Sequence, residues 1–201
     1  GRHGGGGLRR RPDQPQGLMV PPVDAALLAR PGPFWVFAYG SLMWRPGFRY
    51  LQVRPALLHG YHRGFYVYSW VHRGSQRRPG LVLGLDRGGC CRGRAYEIAD
   101  GERPTVLEYL YAREMPTAVY LPRLRPIRLE GDRLTALTFI VDRQSPQYAG
   151  GLSPAEMAPL IRHGFGQSGA NPDYLRDAVA HMDEMGVPAG KLKGLLRLVE
   201  G

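Results

Sequence analysis

Cysteine is nearly absent: the 201 residues include two, Cys90 and Cys91, side by side. Adjacent cysteines cannot staple distant segments, and there is no CxxC spacing, which excludes a disulfide scaffold and a zinc finger. The pair is expected to be buried and structural, as free cysteines usually are. No apolar run approaches the ~20 residues a membrane helix needs, and the N-terminus carries no apolar signal core. The expectation is a cytoplasmic protein with no membrane partner. Other signatures are missing too: GxGxxG, the P-loop and the GxSxG elbow. The histidines (His3, His59, His62, His72, His163 and His181) show neither HExxH nor paired spacing, which argues against a metal. Acidic residues are sparse, 17 against 27 Lys and Arg, for a formal net charge of +10. Arg2, Arg9, Arg10 and Arg11 lie at the very start, and the other basic residues are spread thinly. Without a dense basic run a nucleic-acid partner is disfavoured, and an anionic small substrate fits as well.

Apolar residues at 43% and charged residues at 22% are ordinary globular usage, and the length suits one domain. Residues 1–32 are rich in Gly, Pro and Arg and have little aliphatic content. They are expected to be a mostly disordered tail, with one helical turn over 24–28 as the exception. The folded domain is expected over 33–201. It opens with the aromatic run 34–39, which reads as a buried strand ended by Gly40. Further strands are expected at 52–58, 64–69, 81–85 and 92–98, with Gly88-Gly89 forming a hairpin between the last two. Two more follow at 118–129 and 134–141, turned by Gly131-Asp132.

Helical periodicity appears at 105–113, where Leu107, Leu110, Tyr111 and Glu114 fall at i, i+3, i+4 and i+7; Pro116 stops the helix. Ser153-Pro154-Ala155-Glu156 is a capping box. Asn171-Pro172-Asp173 starts another helix with Tyr174, Leu175, Ala178, Val179 and Met182 as its core stripe, and Gly186 ends it. A last helix runs from about Pro188 and buries Leu192, Leu195, Leu196 and Val199. Strands first and helices later predict an α+β domain with a mostly antiparallel or mixed sheet.

Two features carry chemistry. Glu114 sits on an apolar stripe at a helix C-terminus. Burial raises a carboxyl pKa, and the helix dipole there disfavours negative charge. A carboxyl held near neutrality suits a general acid or base. The competing reading pairs it with an arginine such as Arg113 or Arg123, or points it to solvent at a frayed helix end. The second feature is Tyr39-Gly40-Ser41-Leu42, a small-residue turn delivered by a buried strand. Gly40 is expected to adopt a conformation other residues avoid, and successive N–H groups can bind an oxyanion. An ordinary strand-ending turn is the alternative.

The run Val36-Phe37-Ala38-Tyr39-Gly40-Ser41-Leu42-Met43-Trp44-Arg45-Pro46 resembles the opening motif of the ChaC-type γ-glutamylcyclotransferases. Further segments match in order: His72-Arg73-Gly74 with Pro79-Gly80-Leu81-Val82, Tyr109-Leu110 with Arg113-Glu114, and Pro146-Gln147-Tyr148. Gly166-Gln167-Ser168-Gly169-Ala170-Asn171 with Tyr174-Leu175 completes the series over 34–185. The resemblance implies a small mixed β-barrel flanked by helices. It implies cofactor-independent cleavage of glutathione to 5-oxoproline and cysteinylglycine. It also implies Glu114 as the catalytic residue and Ala38, Tyr39, Gly40, Ser41, Leu42 and Met43 as the substrate cradle. Arg73 is a candidate partner for a substrate carboxylate, and Tyr120 and Tyr148 are candidate hydrogen-bonding groups. The rival readings are a cyclotransferase for other γ-glutamyl amides and a non-catalytic regulatory module.

Overall fold

The computed structural model describes residues 22–201. Most of the tail expected over 1–32 therefore lies outside the described residues. Of the remainder, Asp24 caps a single helical turn, α1 (Ala25–Leu28), and Leu27 is buried in the main core. The buried Arg103 donates to the carbonyls of Arg30 and Gly32, which ties this segment to the body of the fold.

Five strands close into a barrel in the order β1-β3-β2-β4-β5. β1 (Phe34–Ala38) is buried along its whole length, as its apolar run requires. It pairs antiparallel with β3 (Gly80–Ile98) and parallel with β5 (Asp132–Val141), so the sheet is mixed. β2 (Gln52–Ser69) pairs with β3 along nearly its full length and with β4 (Tyr120–Leu129) at Leu57 and Leu58.

The expected hairpin at Gly88-Gly89 does not form. Both glycines lie inside β3 at φ 105° and 67°. The pairing steps from His59↔Cys90 to Tyr61↔Arg87, so Gly88 and Gly89 stand against Gly60 alone. This two-against-one bulge bends a long strand, as closing a small barrel demands. The glycines that looked like a chain reversal are instead a bend within one strand. The neighbouring cysteines also differ from expectation. Cys91 is buried but Cys90 is exposed, because consecutive strand residues face opposite sides.

α2 (Arg103–Glu114) starts two residues before the expected boundary, with Pro104 in its first turn. It buries Val106, Leu107, Leu110 and Tyr111. The expected capping box opens α3 (Pro154–His163). A short hairpin follows, β6 (Phe165–Gly166) and β7 (Gly169–Ala170), then α4 (Asn171–Glu184) and α5 (Gly190–Glu200). Leu192, Leu195 and Val199 of α5 are buried, with Leu196 at the margin. One apolar core lies between the barrel and these helices, and a second fills the barrel itself. Asn171 joins the two layers. It is fully buried, and its side chain donates to the Leu81 carbonyl (2.8 Å) and accepts from the Leu81 N–H (2.7 Å).

Candidate active site

β1 delivers the chain to a 3-10 turn, Ser41–Met43. The first N–H groups of such a turn, those of Ser41 and Leu42, have no partner within it. The Met43 N–H donates to the Gly40 carbonyl and the Arg45 N–H to that of Ser41. The turn is braced from several sides. The Tyr96 hydroxyl contacts the Leu42 and Met43 carbonyls at 3.1 and 2.8 Å, and Arg63 donates to the Tyr39 carbonyl at 2.8 Å. Arg113 donates to Ser41 Oγ at 2.9 Å, to the Arg45 carbonyl at 2.6 Å and to the Tyr109 hydroxyl at 2.8 Å.

Arg113 also connects the turn to Glu114, whose Oε1 lies 3.4 Å from Arg113 Nε. One guanidinium thus touches both features singled out in the sequence. The competing reading, that Glu114 pairs with Arg113, is correct as geometry, yet the pair does not neutralise the carboxyl. Glu114 is 17% exposed, and burial pushes its pKa up from 4.5 to about 7, with the Arg113 charge offsetting only part. The desolvated apolar stripe outweighs the neighbouring cation.

Glu114 and the turn line one cavity of about 380 Å³, within the usual range for small-molecule sites. Four tyrosines share it: Tyr39, Tyr68, Tyr120 and Tyr174. Burial raises the hydroxyl pKa values of Tyr39, Tyr120 and Tyr174 and the nearby Glu114 charge adds to this, so these three remain protonated at neutral pH. The Tyr120 hydroxyl donates to the Leu83 carbonyl at 2.7 Å, and the Leu83 N–H donates to the Tyr174 hydroxyl at 3.4 Å. The far wall carries Trp70, His72, Arg73, Ser168 and Asp177. It is held by the β6–β7 hairpin, where the Gln167 and Ser168 N–H groups donate to the Val71 and His72 carbonyls.

The expected site residues divide. Tyr39, Gly40, Ser41, Leu42, Arg73, Glu114 and Tyr120 line the cavity. Ala38 and Met43 do not: they are 0% and 1% exposed and pack in the core behind the turn. Arg73 faces the cavity, but its guanidinium already lies 5.2 Å from the Tyr174 ring centroid and donates to the Ala170 carbonyl. Tyr148 is elsewhere. Its hydroxyl donates to Asp86 at 2.6 Å, beside Arg143. Its neighbour Gln147 lines the cavity and Tyr148 does not. Gly40 meets expectation in part. Its φ of −123° is negative, but with ψ of −138° it lies outside the regular helical and extended regions, as expected; what differs is the space beside it, since a Cβ built there would rest 3.7 Å from the Leu83 side chain, an ordinary contact. Two residues were missed. Arg113 and Tyr174 both stand in matched motifs, yet neither was given a role: Arg113 was read as a partner of Glu114, and Tyr174 as a member of an apolar stripe.

A family model described as ChaC-like protein matches residues 34–201. The sequence is 35% identical over 177 residues to the glutathione-specific γ-glutamylcyclotransferase of Escherichia coli (strain K12), covering 87% of this chain and 77% of that protein. It is 36% identical over 150 residues to glutathione-specific γ-glutamylcyclotransferase 1 of Mus musculus, covering 72% and 67%. A solved yeast γ-glutamyl cyclotransferase specific to glutathione superposes with a TM-score of 0.77 at 23% identity, over 85% of this chain and 96% of that one, which establishes the shared fold.

Proposed function

The chain belongs to the ChaC-like family, and from that premise we propose that it cleaves glutathione by cyclising the γ-glutamyl group, releasing 5-oxoproline and cysteinylglycine. The relatives named above carry that specificity in their names. The observation that carries the reading is a single carboxyl, Glu114, held near pKa 7 and joined through Arg113 to the turn that opens at Ser41.

The chemistry needs two things. The substrate's α-amino group is an ammonium at neutral pH and cannot attack. Ionised Glu114 takes one of its protons, and the freed nitrogen adds to the γ-carbonyl carbon. The carbonyl oxygen becomes an oxyanion facing the Ser41 and Leu42 N–H groups. Glu114, now protonated, gives that proton to the departing amide nitrogen as the C–N bond breaks, and the second proton shed by the ring nitrogen passes to the released amine, which leaves as an ammonium. Attack is intramolecular, so a pocket that folds the γ-glutamyl arm back on itself lowers the entropic part of the barrier. Tyr120 and Tyr174, neutral and fixed by Leu83, suit a wall against that arm. Arg73 is the cation at the opposite wall, suited to the glycyl carboxylate of the leaving peptide.

The cavity continues from the turn to the wall of Trp70, His72 and Arg73. That extra room favours a peptide leaving group over a single small amine. Exposed Cys90 and buried Cys91 are both free thiols, which suits a reducing compartment, and we read the protein as cytoplasmic. No helix among the described residues is long and apolar enough to cross a membrane. The test is 5-oxoproline release from glutathione and, in parallel, from γ-glutamyl-alanine. Release from glutathione that is lost in Glu114→Gln supports the reading. Wild-type turnover in that variant ends it, and faster release from γ-glutamyl-alanine transfers the assignment to other γ-glutamyl amides.

A further inference from the structure

A second cavity, of about 240 Å³, opens on the barrel away from the catalytic pocket, and the two share no lining residue. Four arginines surround it: Arg87 from β3, Arg123 and Arg125 from β4, and Arg143 just past β5. Two of these are placed where a barrel ordinarily puts apolar groups. Leu121, Arg123, Arg125, Ile127 and Leu129 alternate along one face of β4, and Leu121, Ile127 and Leu129 pack into the barrel interior. The cross-strand partners of Arg123 and Arg125 are Thr138 and Ala136, both 0% exposed. Directly opposed residues share a face. Arg123 and Arg125 therefore share the inward-facing register of the wall, at its open end, where Arg123 is exposed and Arg125 half-buried.

The charges around this mouth do not balance. Among the described residues Arg87, Arg123 and Arg125 form no ion pair, whereas Arg143 meets Asp86 at 2.7 Å. Asp86 is further satisfied by the Tyr148 hydroxyl and the Arg87 N–H, and Asp142 by the Gln144 N–H. Four guanidinium groups thus face two carboxylates, leaving two positive charges over the cavity. Arg125 is pre-aimed: its Nε donates to the Tyr61 hydroxyl at 3.0 Å and its guanidinium carbon lies 5.7 Å from that ring centroid. Planar, weakly hydrated guanidinium forks suit tetrahedral oxyanions. We propose that this arginine-lined mouth of the barrel is a binding site for a phosphate dianion, either free or as the head of a phosphorylated small molecule.

Titration of the full chain by calorimetry with inorganic phosphate, glycerol 3-phosphate and diphosphate tests this. Saturable binding is expected for wild type. The tighter of the first two ligands identifies the source, free ion or phosphate ester. Arg123→Gln/Arg125→Gln is expected to weaken binding about tenfold or more, since two charge-assisted contacts are lost. Arg128→Gln, an exposed control on the opposite face of the same strand, is expected to leave binding in place. Should the double variant fail to fold, Arg87→Gln alone serves, with the same direction of effect. 5-Oxoproline release is expected to be unchanged in all of them. Absence of saturable binding in wild type overturns the site and leaves the arginine stems as a cover over the barrel end. Equal weakening by Arg128→Gln overturns it in favour of a general charge effect.

Discussion

Glu114→Gln is expected to stabilise the protein while removing its activity, and the size of the gain follows from the shifted carboxyl. Below pH about 4.5 both the folded and the unfolded chain carry the proton, and the group costs nothing. Between about 4.5 and about 7 the unfolded chain releases it while the folded protein retains it. Stability then falls with rising pH, by up to ~1.4 kcal/mol per unit. Above the folded pKa the full cost of ionising a buried acid persists. A displacement from 4.5 to about 7 corresponds to a loss of about 3 kcal/mol. Glutamine does not titrate, so the variant escapes it. Urea unfolding of both proteins at half-unit steps from pH 4.5 to 8.5 measures the difference directly, because all other groups cancel. The two stability curves should separate through this window, with the variant above wild type by about 3 kcal/mol at pH 8. Curves that stay parallel would show that Glu114 titrates like a solvated carboxyl, and the case for it as a base would fail.

Three further outcomes follow from the same geometry. The kcat/KM of wild type should rise with pH through about 7 as Glu114 ionises, and Arg113→Gln should move that limb upward because the cation that lowers the Glu114 pKa is gone; an unmoved limb in a pH–rate profile counts against the coupling. Gly40→Val should cut turnover by about a hundredfold or more with an unchanged circular dichroism spectrum, since the 3.7 Å approach to Leu83 leaves ordinary room for a Cβ while the substrate's place does not; a near-normal rate excludes the cradle. Tyr148→Phe should cost about 1–2 kcal/mol in urea unfolding by removing a hydroxyl from Asp86, and leave kcat and KM as they are; a raised KM would return Tyr148 to the substrate.

The parts legible in the sequence were those governed by local chemistry. The face shared by Leu107, Leu110, Tyr111 and Glu114 follows from helical spacing, and all three apolar members are buried. The Ser153–Glu156 capping box and the strand ending at Gly40 are equally local. What escaped depends on partners distant in sequence. Gly88-Gly89 has the composition of a turn, and only its pairing against Gly60 makes it a bend. Tyr174 has the spacing of a core residue, and only the arrival of Leu83 across α4 turns its hydroxyl toward the cavity wall. Tyr148 belongs to a matched motif, yet the buried Asp86 draws it to the other side of the chain. Cys90 was assigned the burial of its neighbour, although the two face opposite sides of a strand.

The double clasp between Asn171 and Leu81 means that neither half of the chain owns a finished reaction chamber. A growing polypeptide halted on the ribosome before residue 171 already possesses its acid and its turn, but it lacks the tyrosine that closes the side and the amide that clamps the helical plate to the barrel. A cavity with all its walls in place therefore arrives late in synthesis.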